Sequence, residues 1–267
     1  MKVKFEHQSF FKRLKSMLAV DFRRMFTMPL LYIMMGTSVV IPILVLVMTT
    51  IMDGTTSVNP QTGVETTIEG FDNVWQVIGS ISSEGAMMST DLTGMCNINM
   101  MYFLAAVLVC IFVSADFRSG YAKNLFAVRS KKSDYIISKS LVGFVGGVLM
   151  IVGFFVGAML GGAISGLPFD TGVAGVNGIV ICILAKVLLI AVFTPIYLLM
   201  SVIAKEKLWL SLIGSLMIGM LFFMMIPVLT PLDSTIMNVI LCLAGGVLFN
   251  LGFGAISQLI LKKKDIL

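Results

Sequence analysis

Chemistry starts from groups that donate, accept or attack, and few such groups here stand in usable arrangements. His7 is the only histidine among 267 residues, which leaves no imidazole pair to hold a metal and none to activate a nucleophile. Cys96, Cys110, Cys182 and Cys242 are far apart, and three of them lie inside apolar runs. They read as small buried hydrophobes rather than as metal ligands or a disulfide framework. No G-x-x-x-x-G-K-[ST] loop occurs, so nothing in the chain cradles a nucleotide phosphate. Neither a catalytic residue nor a metal site is expected, the chain needs no cofactor of its own, and any ATP used must be hydrolysed by a partner.

What remains is a small set of polar and glycine positions inside apolar runs. Lys186 is the one cation at such a depth, where an unpaired charge costs about 3 kcal/mol on insertion scales. Two readings are open: it lines a substrate pathway and meets an anionic group, or it snorkels to the nearer end of its span. Thr194, followed by Pro195, and Asn250 could line the same pathway or could bond between helices. Gly153, Gly157 and Gly161 recur every fourth position, which lets a neighbouring helix approach closely, more readily within the chain than between subunits. Twenty-one methionines suit adaptable packing without specifying a ligand.

The elements that must position these groups follow from composition. Hydrophobic residues make up 58% of the chain and charged ones 12%, with a mean hydropathy of +1.00, whereas roughly a quarter of a soluble domain is charged. Six apolar stretches, 30–52, 96–115, 139–165, 176–203, 208–230 and 236–261, are long enough to span a bilayer as helices. Residues 141–160 are apolar or glycine throughout, which excludes the alternation of a barrel strand. Eighteen of the nineteen basic residues fall before the first stretch, between the second and third, between the fourth and fifth, or after the sixth; the exception is Lys186. The alternate connections, 53–95, 166–175 and 231–235, carry acids and no base. Basic residues near span ends stay on the cytoplasmic side, so the expected topology is a multi-pass protein of the cell membrane with both termini cytoplasmic.

Before the first span, Phe11, Leu14, Leu18, Phe22 and Met25 recur at helical spacing among Lys12, Arg13, Lys15, Arg23 and Arg24. Residues 1–28 therefore read as an amphipathic helix in the membrane interface, retained rather than cleaved as a signal, and residues 29–267 as the six-span domain. The outer connection 53–95 opens with a turn-rich loop, 53–63, and 71–81 could form a short amphipathic helix on the outer leaflet or over a cavity. That connection is a lid or a plain connector.

The second inner connection, 116–139, predicts a short helix after Gly120, a basic turn around 130–132, and a helix entered from Ser133 as N-cap with Asp134 behind it. Its order, Asp116, Gly120, Lys123-Asn124-Leu125, Arg129 and Lys139, resembles the permease subunits of type-2 ABC exporters. In that family an acidic residue closes span two, a glycine follows, and a Lys-Asn-Leu-like coupling helix and basic turn lead into span three; Glu is commoner where Asp116 stands. The resemblance implies an all-α integral membrane fold, a six-helix bundle of the type-2 ABC exporter kind with an N-terminal interfacial helix. It assigns Asp116, Gly120, Lys123, Asn124, Leu125, Arg129 and Lys139 to coupling with an ATPase. It further implies two copies of a cytoplasmic ATPase that bind ATP and Mg, a second permease copy or a related permease, membrane lipids as surroundings, and no nucleic acid. The expected substrate is amphipathic or hydrophobic (peptide, drug or lipid-like), with a lipid-linked glycan as the alternative. An ion-coupled secondary transporter, which would need intramembrane acids or broken helices at matching places in two halves, is the lower-ranked alternative because no acid lies within a span core. A membrane-embedded enzyme would need clustered His, Asp or Glu at bilayer depth, which the single His7 argues against.

Overall fold

A computed structural model describes residues 9–58, 65–67, 70–79, 97–128, 132–223 and 225–263. An amphipathic helix, α1 (Phe10–Thr27), leads directly into α2 (Pro29–Met52). Pro29 opens α2 at a position whose N–H would have no helical partner in any case. There follow α3 (Met100–Arg118), α4 (Tyr121–Val128), α5 (Lys132–Ser165), α6 (Gly175–Ala204), α7 (Leu208–Phe223), α8 (Met225–Leu229) and α9 (Ile236–Lys263). Five of these, α2, α3, α5, α6 and α9, are long and apolar enough to cross a membrane. The protein is a multi-pass helical membrane protein.

The stretch 208–230 is described as α7 and the short α8, on either side of residue 224, which lies outside the described residues. Helix α5 is described from Lys132, one residue before the expected entry at Ser133 and about two turns before the apolar stretch at 139. Ser133 thus sits inside the first turn instead of capping it.

Contacts at glycine give the helix directions. Gly153 faces Ser38, Gly157 faces Val39 and Pro42, and Gly161 faces Ile43 and Leu46, an ascending order on both chains that makes α2 and α5 parallel. Gly143 meets Val109 and Thr194, while Gly147 meets Ala105 and Ile190, so α3 and α6 run opposite to α5. Helix α9 also opposes α5, because Gly254 approaches Ile136 and Asn250 bonds Ser140. A hydrogen bond of 2.7 Å between Ser201 and Ser211 closes the hairpin of α6 and α7. Without a hydrophobic drive between helices in lipid, such close approach at small residues supplies the packing energy.

One end of the bundle gathers α1, α4, Lys132, Lys139, Lys205, Lys207 and Lys262, and is called the basic end below. The opposite, acidic end holds Asp53, Asp72, Asp170 and Asp233. There β1 (Thr56–Val58) pairs antiparallel with β2 (Glu65–Thr67), where the sequence read only a turn-rich loop. The helix expected over 71–81 is a single 3-10 turn, Val74–Val77, held by a capping box between Asn73 and Gln76. Val74, Trp75, Val77 and Ile78 are buried. This turn packs into the protein, with Trp75 stacked on Phe155 at 6.2 Å; it does not rest on the leaflet. Residues 80–96, the rest of that connection, lie outside the described residues.

Candidate functional site

The most concentrated chemistry lies at the basic end, where α1, α3, α4 and α5 meet. Helix α3 carries Asp116 in its last turn, and the first two turns of α5 bring Tyr135, Ser138 and Lys139 beneath it. Lys139 Nζ lies 2.8 Å from Asp21 Oδ1 and 2.7 Å from Asp116 Oδ2. Arg24 Nη2 lies 2.6 Å from Asp116 Oδ1. Ser138 donates to Asp21 Oδ2 at 2.6 Å, and the Tyr135 hydroxyl donates to Asp116 Oδ2 at 3.0 Å. Asp21, Asp116 and Lys139 are fully buried, and only Arg24 reaches water, with 32% of its side chain exposed. Two carboxylates and two cations cancel, which is what permits so many charges out of water.

Aromatic rings wall the cluster. Lys139 Nζ sits 3.9 Å from the centre of the Phe112 ring, and the Arg24 guanidinium 4.2 Å from that of Tyr121; such faces attract cations. Burial alone would lower the Arg24 pKa, but the facing Asp116 carboxylate, together with Tyr121 and Asp21, offsets it, and the guanidinium is held above its ordinary value. Burial, and after it the nearby Asp21 carboxylate, push the Tyr121 hydroxyl up. A second bridge, from Arg13 Nε to Asp134 Oδ2 at 2.9 Å, fastens the start of α1 to the start of α5.

Asp21 is the residue the sequence reading overlooked. It shares one helical face with Met17 and Met25, also buried, a spacing of four that places all three on one side. The protein-facing stripe of α1 is this one, whereas Phe11 stands 79% exposed on the outward side. A lone acid aligned with methionines in a basic helix was the available signal.

The expected coupling residues divide into two groups. Asp116 and Lys139 are interior posts of the cluster and present nothing to a partner. Gly120 has φ of +73° and follows the α3 C-cap Ser119; a side chain there would meet open space but a strained backbone. Its carbonyl accepts from the Asn124 N–H at 3.1 Å, so the same glycine that ends α3 starts α4. Lys123 and Asn124 point outward, and Leu125 is half-buried. Arg129 lies outside the described residues. Ring contacts hold α4 down, with Phe126 5.3 Å from Tyr135.

The expected pathway residues are not brought together. Lys186 is fully buried and does not snorkel; its Nζ donates to Asn99 Oδ1 at 3.1 Å and to Thr230 Oγ1 at 2.9 Å, joining α6 to the start of α3 and the residue after α8. Thr194 is buried and donates to the Ile190 carbonyl of its own helix at 2.8 Å. Asn250 bonds Ser140 and, at 2.8 Å, the carbonyls of Ala191 and Gly246. It lines a cavity of about 570 Å³ between α5, α6 and α9. Among the described residues no group of three or more His, Cys, Asp and Glu could hold a metal. No family model, no curated protein and no solved structure matches the chain.

Proposed function

We propose that this chain is the transmembrane permease subunit of an ATP-driven exporter of the type-2 ABC kind, working with a separate ATPase and a second permease copy or relative. Helices α7 and α8 together serve as the fifth crossing, and the basic end faces the cytosol, as positive-inside asymmetry requires. The observation that carries this reading is the second basic connection. Its acid-glycine-Lys-Asn-Leu order coincides with a short helix, α4, that exposes Lys123 and Asn124 at the basic end and is bonded through Tyr121 and Arg24 to the buried ion cluster. A push on α4 would reach α1 through Tyr121 and Arg24 and α5 through Phe126 and Tyr135, and from there the ion cluster that includes Asp116 of α3. ATP and Mg belong to the partner, and the transported molecule is amphipathic or hydrophobic.

The test reverses charge in the second basic connection and spares the cluster. Lys123→Glu with Arg129→Glu is expected to leave the bundle folded, by monodisperse elution in detergent, while copurification with the cytosolic ATPase falls at least tenfold, about 1.4 kcal/mol. Gly120→Val is expected to preserve binding but uncouple ATP hydrolysis from export in vesicles. Unchanged copurification and export in both variants would remove the coupling assignment.

A further inference from the structure

We infer that the cavity between α5, α6 and α9 is a binding site for an anionic phospholipid, one acyl chain in the groove and the headgroup at the basic end. The inference rests on the multi-pass fold alone and not on the exporter reading. Ile136, Phe144, Leu188 and Leu198 form its walls, and Leu141 and Leu251 its exposed rim, within a volume typical of small-molecule sites, roughly 300–1,000 Å³. In a membrane that rim faces hydrocarbon, so the material at the mouth is lipid.

Polarity along the groove selects the ligand. In the middle, Ser140 and Asn250 bond to each other and Asn250 to two backbone carbonyls, which leaves them satisfied and the groove suited to a methylene chain. Toward the basic end, Ser133 and Gln258 line the wall. Gln258 has no side-chain partner among the described residues. Lys132 donates to the Leu261 carbonyl, tying α5 to the last turn of α9, and the exposed Lys262 follows. Asp134, the residue after Ser133, is already paired with Arg13. Lys132, next to the lining Ser133, and Lys262, one helical turn beyond the lining Gln258, thus flank that end of the groove beside a free amide, a match for a phosphodiester, and basic pockets between membrane helices draw anionic headgroups. A zwitterionic lipid carries its own ammonium and gains less.

Native mass spectrometry of the detergent-solubilised chain, titrated with phosphatidylglycerol or phosphatidylcholine, reads this directly. One phosphatidylglycerol is expected per chain, retained at least fivefold more tightly than phosphatidylcholine. Ala255→Trp fills the groove from an exposed lining position and is expected to weaken phosphatidylglycerol roughly tenfold. Leu248→Trp, on an exposed part of α9 outside the groove, is expected to change nothing. Lys262→Glu should erase about fivefold of the anionic preference while phosphatidylcholine is unaffected. Thermal melts of all three variants within a few degrees of wild type show that the bundle is intact. Equal binding of the two lipids, undiminished binding to Ala255→Trp, or displacement of phosphatidylglycerol by a cationic amphiphile at equal concentration would each overturn the assignment.

Discussion

At the scale of single residues, four charges at the basic end matter most. Asp21, Arg24, Asp116 and Lys139 are worth little as a net stabilising set, because desolvation consumes most of their attraction. Breaking the set is another matter, since one deletion strands a charge out of water. Lys139→Met leaves two buried carboxylates facing one guanidinium, and an expected loss of about 3–5 kcal/mol appears as a lower melting temperature in detergent. Asp21→Asn combined with Lys139→Met restores neutrality and is expected to recover a large part of that loss, a coupling a double-mutant cycle measures. Additive losses would show that the two residues do not share one cluster. The sequence shows Asp116 and Lys139 as markers of a connection but not as partners, since the cluster that joins them is completed from α1, by Asp21 on Lys139 at a separation of 118 positions and by Arg24 on Asp116. An acid in a basic tail reads the same as a solvated charge, and only the three-dimensional face shared with Met17 and Met25 distinguishes Asp21. Lys186 was undecided for the same reason: its acceptors Asn99 and Thr230 are polar residues at the ends of other elements, and neither has a periodicity that announces it.

At the scale of elements, the span pattern was legible because apolar length is set by bilayer thickness and needs no tertiary knowledge. Its limits have a local cause: the apolar stretch begins only at 139 because Ser133, Asp134 and Lys139 are polar, and the helix that extends it back to Lys132 is signalled by the Ser133–Asp134 entry rather than by hydropathy. The glycine ladder of α5 is where one element meets another most tightly. A Cβ at Gly157 would fall 2.7 Å from Pro42 Cγ and press on the Val39 carbonyl. Gly157→Leu is therefore expected to separate α2 from α5, with a destabilisation of about 2 kcal/mol or more by overpacking and broadened elution in detergent. Gly36→Ala, where nothing lies within 4 Å, is the control and should leave elution unchanged. If Gly157→Leu elutes and melts as wild type, α2 and α5 do not pack through that ladder.

At the scale of the whole molecule, the segregation of charge organises everything else. The fold puts α1, the α3–α4 connection, the α6–α7 turn and the end of α9 together at one end, and the acid-bearing connections at the other, a grouping the positions of Lys and Arg already implied. What the sequence could not convey is that the basic end is welded, with α4 resting on α5 through Phe126 and Tyr135 and on α1 through Tyr121 and Arg24. A motor acting on α4 from the cytosol would move a rigid assembly and not a loose loop. That role requires the basic end to be inside the cell. Single cysteines at Lys123, Lys207 and Asp72, all exposed positions, can be introduced into a chain carrying Cys96→Ser, the other three native thiols being buried. With a membrane-impermeant maleimide on intact cells, Asp72→Cys is expected to label at once, and Lys123→Cys and Lys207→Cys only after permeabilisation. Labelling of Lys123→Cys or Lys207→Cys in sealed cells would place the basic end outside and contradict the proposed function at its root.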